Sequence, residues 1–241
     1  MLTFKHSGKL GDIIWSLPFI RHVGGGDLRL AVGVSESPGA APWISNEAFE
    51  FIRPLLEAQS YVHSVGLYQG EPVDYDLDDF RKVTFRFGCN LVDAFYLAFG
   101  IMPDPTNHFE PWLDAPAPPP RPRKRVVVSR ASRSLGYRAI DNRFYRYMAR
   151  QDLAKHGLFV GFPDEHAHFQ QLFGVNIELA ITDNAYEMAK ILNSADLWVG
   201  SQGLGNCIAE GLKKTSILEF NDTPSLDRFW CAFRRPNLIY I

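Results

Sequence analysis

Residues 195–211 read Ala195-Asp196-Leu197-Trp198-Val199-Gly200-Ser201-Gln202-Gly203-Leu204-Gly205-Asn206-Cys207-Ile208-Ala209-Glu210-Gly211, and this order of residue types decides the fold. A short apolar run, Leu197 to Val199, gives way to small and polar residues, as a strand does when it ends in a loop. Beyond the loop, Ile208 and Leu212 lie four residues apart, as do Asn206 and Glu210. A helix opening near Asn206 therefore carries one apolar face and one polar face. The N–H groups that open such a helix have no partner within it and suit an anion such as pyrophosphate. With the apolar face on a sheet, Asn206 and Glu210 are expected to face a ligand, where a Glu can accept from both hydroxyls of a ribose. An ordinary strand-to-helix turn has much the same spelling, so both readings stand at this point.

The same alternation extends in both directions. Strands are expected at Arg125–Ser129, Leu158–Val160, Ile177–Ile181, Leu197–Val199 and Ser216–Phe220. Helices are expected between them, at Arg143–Lys155, Glu165–Phe173, Ala185–Asn193 and Asn206–Lys213. Strand–helix–strand order at this spacing implies a parallel sheet with right-handed crossovers. The first half repeats it, with strands at Leu2–Lys5, Leu28–Val34, Val62–Leu67 and Val83–Phe87. Its helices are expected at Ile13–His22, at Asn46–Ala58 with Asn46 as the N-cap, and at Leu91–Phe99. Between the halves, Asp114-Ala115-Pro116-Ala117-Pro118-Pro119-Pro120-Arg121-Pro122 is stiff and cannot hold a helix or an interior strand, because proline lacks the N–H. The expected fold class is α/β, with two Rossmann-like parallel-sheet domains at 1–114 and 125–241, a linker at 115–124, and a central cleft near the carboxyl ends of the strands.

A second strand-to-helix loop stands near the N-terminus: His6-Ser7-Gly8-Lys9-Leu10-Gly11-Asp12-Ile13-Ile14-Trp15-Ser16-Leu17-Pro18. Gly8 and Gly11 allow a tight turn and close approach to a ligand. Asp12 falls at the helix start, where a negative charge suits the dipole. It reads either as a capping residue or as a chemical group. The Gly-x4-Gly-Lys-Ser/Thr of a P-loop is absent, which argues against a kinase or ATPase, and a Gly-x-Gly-x-x-Gly after the first strand is absent too, which argues against a dinucleotide-dependent oxidoreductase.

Composition narrows the class further. Of 241 residues, 46% are hydrophobic and 22% charged, ordinary for a globular protein. The net charge of −2 argues against indiscriminate nucleic-acid binding. Charge is nonetheless uneven: Arg121 to Arg150 holds ten basic residues against one acid, Asp141. Such a run is either a solvated face or an anion site. Cys89, Cys207 and Cys231 are too scattered for a disulfide framework or a zinc site, and no signal peptide or membrane span is evident, so a cytoplasmic protein is expected. Asp74-Tyr75-Asp76-Leu77-Asp78-Asp79 contains an Asp-x-Asp of the kind that holds a divalent cation, but with no convincing strand before it, the segment reads as a solvated acidic loop. His166-Ala167-His168 points its rings apart on a helix and is not a zinc site.

Taken in order, the two glycine loops resemble the heptosyltransferase family of glycosyltransferases and the short phage and bacterial proteins like them. That family opens with a strand, a small-residue loop, Gly-Asp and an apolar helix beginning Leu-Pro, and its second half carries Ala-Asp, two apolar residues and Gly before a polar loop. Arg125-Val126-Val127-Val128-Ser129-Arg130-Ala131-Ser132-Arg133 looks like the first strand of its second domain, and Phe159-Val160-Gly161-Phe162-Pro163-Asp164-Glu165 like the next strand with its nucleoside-side loop. The resemblance implies a GT-B glycosyltransferase that transfers a sugar from a nucleotide-diphosphate sugar, without a metal and with inversion, and that uses no cofactor besides this co-substrate. It implies Asp12 as general base, with Gly8, Lys9, Gly11, Arg130, Arg133, Ser201, Gln202, Gly203 and Asn206 around the donor phosphates. Glu210 and Phe162 would take the ribose and base. The implied acceptor is a lipopolysaccharide-type glycan or a hydroxymethylated base in phage DNA. Departures from the pattern are Ser201-Gln202-Gly203 for Asp-Thr/Ser-Gly, Gln202 where some families carry a Glu, Leu212-Lys213-Lys214 for Gly-Lys-Pro, and a shorter chain. They motivate the alternative of a non-catalytic nucleotide- or glycan-binding protein.

Overall fold

A computed structural model describes residues 1–35, 42–84, 89–116, 125–131, 153–219, 233 and 235–240. These form two compact units, each α/β with a wholly parallel sheet. The first comprises the described residues of Met1–Asp114 together with Asn184–Tyr186 and Phe233, and the second takes the remaining described residues.

The first unit contains β1 (Leu2–His6), α1 (Leu10–His22), β2 (Gly26–Leu30), α2 (Asn46–Glu57), β3 (Val62–Leu67), β4 (Tyr75–Asp76), a 3-10 helix over Leu77–Lys82, and α3 (Leu91–Ala98). Its strand order is β3-β2-β1-β4, with Phe4 opposite both Leu28 and Tyr75. Helix α1 is buried at every position from Ile13 to Ile20, as expected of a helix that is apolar all round. Its one hydroxyl there, Ser16, donates to the Ile13 carbonyl at 2.7 Å. Helix α2 is amphipathic instead, with Phe49, Ile52, Leu55 and Leu56 buried. Its N-cap is Ser45 rather than Asn46, because the Ser45 hydroxyl accepts the Ala48 N–H at 3.2 Å. Helix α3 opens with a reciprocal capping box between Asn90 and Asp93.

The fourth strand corrects the sequence reading. Val83 and Thr84 lie outside any strand, residues 85–88 lie outside the described residues, and β4 is Tyr75–Asp76. The acidic spelling concealed it. Tyr75 stacks on Phe4, Asp74 accepts from the Thr3 N–H at 2.8 Å, and Asp76 pairs with Lys5 at 3.1 Å. Asp74 and Asp76 thus each meet a donor from β1, which lets a charged segment join a parallel sheet.

The second unit contains β5 (Val126–Ser129), α4 (Leu153–His156), β6 (Gly157–Val160), α5 (Pro163–Phe173), β7 (Glu178–Ala180), α6 (Ala185–Ser194), β8 (Leu197–Ser201), α7 (Leu204–Gly211), β9 (Ser216–Glu219) and β10 (Leu238–Tyr240). The order is β10-β9-β8-β5-β6-β7, all parallel. Its core gathers Val128, Phe159, Phe169, Phe173, Ile177, Val199 and Ile217, and each such side chain removed from water contributes about 1.5–3 kcal/mol. Helix α5 starts at Pro163 and stops at Gly174, whose φ of 66° places its N–H on the Gln170 carbonyl at 2.9 Å. Strand β10 is an element that the sequence reading missed. The expected helix Arg143–Lys155 falls largely outside the described residues, as does most of the proline-rich linker.

In a doubly wound sheet a crevice opens where the strand order reverses, at the carboxyl ends of the two strands concerned. The first unit reverses between β1 and β4, the second between β5 and β8. Both glycine loops stand at these points, one after β1 and the other after β8.

Candidate functional site

In the first unit, the loop Ser7-Gly8-Lys9 leads from β1 into α1, and the 3-10 helix Leu77–Lys82 leaves β4 beside it. Asp78 ties the two together. Its carboxylate accepts from the Ser7 N–H at 3.1 Å and the Ser7 hydroxyl at 2.6 Å, meets Lys5 Nζ at 2.7 Å, and takes a short bond from Arg81. Gly8 donates its N–H to His6 Nδ1 at 2.8 Å, and the Lys9 N–H donates to Asp12 Oδ2 at 3.2 Å. A Cβ on Gly8 would stand 2.5 Å from Arg81 Nη2, 2.6 Å from His6 Cε1 and 3.0 Å from Asp12 Oδ2, so only glycine fits. Asp12 keeps 25% of its side chain exposed, and Arg81 Nη2 lies 3.8 Å from its Oδ2. A partly exposed, anchored carboxylate at a switch point can accept a proton from a bound hydroxyl.

Charge states here follow from burial and partners. Burial works to raise the Asp78 carboxyl, but His6, Lys5, Ser7 and Arg81 outweigh it and hold it well below the usual carboxylate range. Burial of Lys5 works to lower its ammonium, and Asp78 and Asp76 overcome that and raise it. The buried His6 ring is held down at about 4, first by desolvation, with Arg81 and Lys5 adding repulsion against the pull of Asp78. Folded His6 is therefore neutral at neutral pH, whereas the unfolded chain protonates it below about 6.5. Its contribution to stability is complete above that value and is lost as the pH falls toward 4, on the order of 3 kcal/mol in all. Urea unfolding at pH 7.5 and pH 4.5 should show this loss, and His6→Asn, whose amide oxygen can replace the acceptor Nδ1, should flatten it. Equal pH dependence in the two proteins would show that His6 is not the group responsible.

In the second unit, the loops after β5 and β8 lie together. The Ala131 N–H donates to the Ser201 hydroxyl at 3.0 Å, and Trp198 Nε1 donates to the Ser129 hydroxyl at 2.9 Å. Helix α7 seats its first turn directly on Ser129: a Cβ on Gly205 would overlap the Ser129 hydroxyl, so the approach requires glycine. Gly203 caps α7 without a side-chain bond, leaving the first-turn N–H groups as donors for an anion. At the carboxyl ends of the neighbouring strands β6 and β7, Phe162 is 65% exposed and Ile181 80% exposed. Both lie at the carboxyl end of the sheet, on the β6–β7 side of the switch point.

The expected site residues divide accordingly. Asp12, Lys9 and Gly11 stand at the first switch point, with the Lys9 side chain exposed. The N–H of Gly8, expected near a donor phosphate, is spent on His6. Ser201, Gln202, Gly203 and Asn206 stand at the second, although Asn206 and Ser201 are buried. Glu210 was expected on an open face, but it is 2% exposed, with Arg235 at 2.8 Å and Lys213 at 2.5 Å on its carboxylate. Likewise Arg130 is buried and forks onto Glu219, Nε to Oε2 at 2.9 Å and Nη2 to Oε1 at 3.0 Å. In both cases an internal partner of opposite charge compensates burial, which an open-face placement had left out. Arg133 lies outside the described residues. Arg81 and Asp78 went unrecognised because the acidic stretch was taken for a loop; read as the end of a strand, it would have placed both beside Asp12.

Among the described residues no three His, Cys, Asp or Glu side chains cluster as a metal site, and no helix is long and apolar enough to cross a membrane. No protein-family model and no curated protein sequence matches the chain. Solved structures do. A glycosyltransferase family 9 protein from Veillonella parvula is similar at a TM-score of 0.63 and 10% identity, over 100% of this chain and 85% of that one. The E. coli heptosyltransferase WaaC, solved with ADP, gives 0.61 and 11%, over 100% and 90%. The E. coli ADP-heptose lipopolysaccharide heptosyltransferase II gives 0.61 and 12%, over 100% and 89%. At such identities the likeness is one of fold, and it is consistent with GT-B architecture.

Proposed function

We propose that this chain is a glycosyltransferase that moves a sugar from a nucleotide-diphosphate donor to an acceptor hydroxyl, with inversion and without a metal. The reading is carried by one observation: Asp12, part-exposed and anchored at the switch point of the first sheet, on a fold similar to that of a family 9 glycosyltransferase and a heptosyltransferase. Asp12 takes the proton from the acceptor hydroxyl while that oxygen attacks the anomeric carbon. The bond from that carbon to the diphosphate oxygen breaks, and the diphosphate leaves with the electron pair. We propose that the N–H groups opening α7 and Gln202 take the donor diphosphate. Neither Asp76 nor Asp78 suits a metal, since Lys5 and Arg81 already hold their carboxylates. A glycan hydroxyl is the acceptor favoured over DNA, because the net charge of −2 argues against binding a polyanion.

An adenosine diphosphate sugar is the first donor to test, as similar structures were solved with ADP and with ADP-2-deoxy-2-fluoro heptose. ADP at a hundredfold excess over its dissociation constant should stabilise the protein by about 2.7 kcal/mol. We propose that Phe162, 65% exposed just past β6, stacks on the base, and Phe162→Ala should weaken ADP by about 5- to 100-fold, the range of one base–aromatic stack. An unchanged affinity would move the base elsewhere. A second reading, a non-catalytic nucleotide-binding protein, is favoured by the internal commitment of Arg130 and Glu210. Donor turnover separates the two.

A further inference from the structure

The geometry points to Arg81 as the positioning residue that fixes the charge and aim of Asp12, an assignment that rests on the reading of Asp12 as the base. The guanidinium carbon lies 4.5 Å from the ring centres of both Trp43 and Phe80. The backbone of Trp43 is held by its amide N–H on the Val34 carbonyl at 2.8 Å, and Phe80 is buried. One amino group of Arg81 bonds Asp78, which Ser7 and Lys5 hold in turn, and the other faces Asp12 Oδ2 at 3.8 Å. A flexible side chain fixed on two rings and one carboxylate presents its remaining edge in a set direction, and arginine's planar fork suits this where lysine's point charge does not. The arrangement, only partly buried, adds little stability. Its effect falls on Asp12. A cation at this distance favours the ionised carboxylate, so the base is deprotonated over a wider range of pH.

Other ionisable groups around Asp12 among the described residues are His6, buried and neutral behind the loop and in contact with the Asp12 backbone; Asp78 and Lys5, which offset one another; and Lys9, whose side chain is exposed.

The test compares wild type with Arg81→Met and Arg81→Lys by two readouts. The acid limb of kcat against pH should move up by about half to one unit in Arg81→Met, a discounted form of the effect of a neighbouring cation on a carboxylate. In Arg81→Lys it should move less, with KM for the nucleotide sugar within about twofold of wild type in both. Carbon NMR titration of the Asp12 carboxyl should show the same displacement without any turnover. Should Arg81→Met fail to fold, Arg81→Lys carries both measurements, with a smaller displacement expected. An unmoved limb and an unmoved carboxyl titration in a folded variant would overturn the assignment and leave Arg81 a brace for Asp78. If wild type transfers no sugar, the glycosyltransferase reading fails by itself, and the Asp12 titration still decides whether Arg81 sets its charge.

Discussion

Asp12→Asn is expected to lower sugar transfer, to an acceptor or to water, by about 100- to 10,000-fold, the contribution of a positioned general base. Asparagine keeps the size of the side chain and can still accept the Lys9 N–H that Asp12 Oδ2 accepts at 3.2 Å, so the helix start should survive. Donor affinity should stay within about twofold, because the donor contacts proposed here belong to the second sheet. The two measurements together separate loss of a base from loss of a fold. A variant with wild-type turnover removes Asp12 from the chemistry, and one that has lost donor binding as well shows the substitution acting more widely than on one proton.

The second large effect is on stability. Glu210→Ala leaves Arg235 buried with its guanidinium facing no carboxylate, where Nε and Nη2 had met both Glu210 oxygens at 2.8–3.2 Å. Breaking a buried pair from one side costs about 3–5 kcal/mol, since the remaining charge cannot reach water. Chemical denaturation of the variant should show that loss. Nucleotide affinity, measured where the variant is still folded, should change little. A variant as stable as wild type that no longer binds nucleotide would return Glu210 to the ligand, as its spelling first suggested.

The fold was legible because its signals are local. Val126–Ser129, Leu197–Ser201 and Ser216–Glu219 are apolar runs that only a covered parallel strand explains, and Gly203 and Gly174 punctuate the helices beside them. The place of Asp12, in the first turn of the helix after β1, was legible for the same reason. Tyr75–Asp76 was not, because its strand character depends on Thr3, Lys5 and Phe4, seventy residues away in the chain. Glu210 and Arg130 were misjudged on the same grounds. A helical wheel shows which way Glu210 points from its own helix, and an apolar strand shows where Arg130 follows it, but neither shows that Arg235 or Glu219 waits there. Arg81 carries no motif at all. Its meaning arises only when Trp43, Phe80, Asp78 and Asp12 are brought around it.

The most direct test of the whole account needs no knowledge of the acceptor. Wild-type protein is incubated with ADP-, UDP- and GDP-sugars, and free nucleoside diphosphate is followed, since a glycosyltransferase slowly passes its sugar to water. Release from at least one donor, abolished by Asp12→Asn, is the predicted result. No release above the buffer rate from any donor that the protein demonstrably binds would contradict sugar transfer and leave a nucleotide-binding protein in its place.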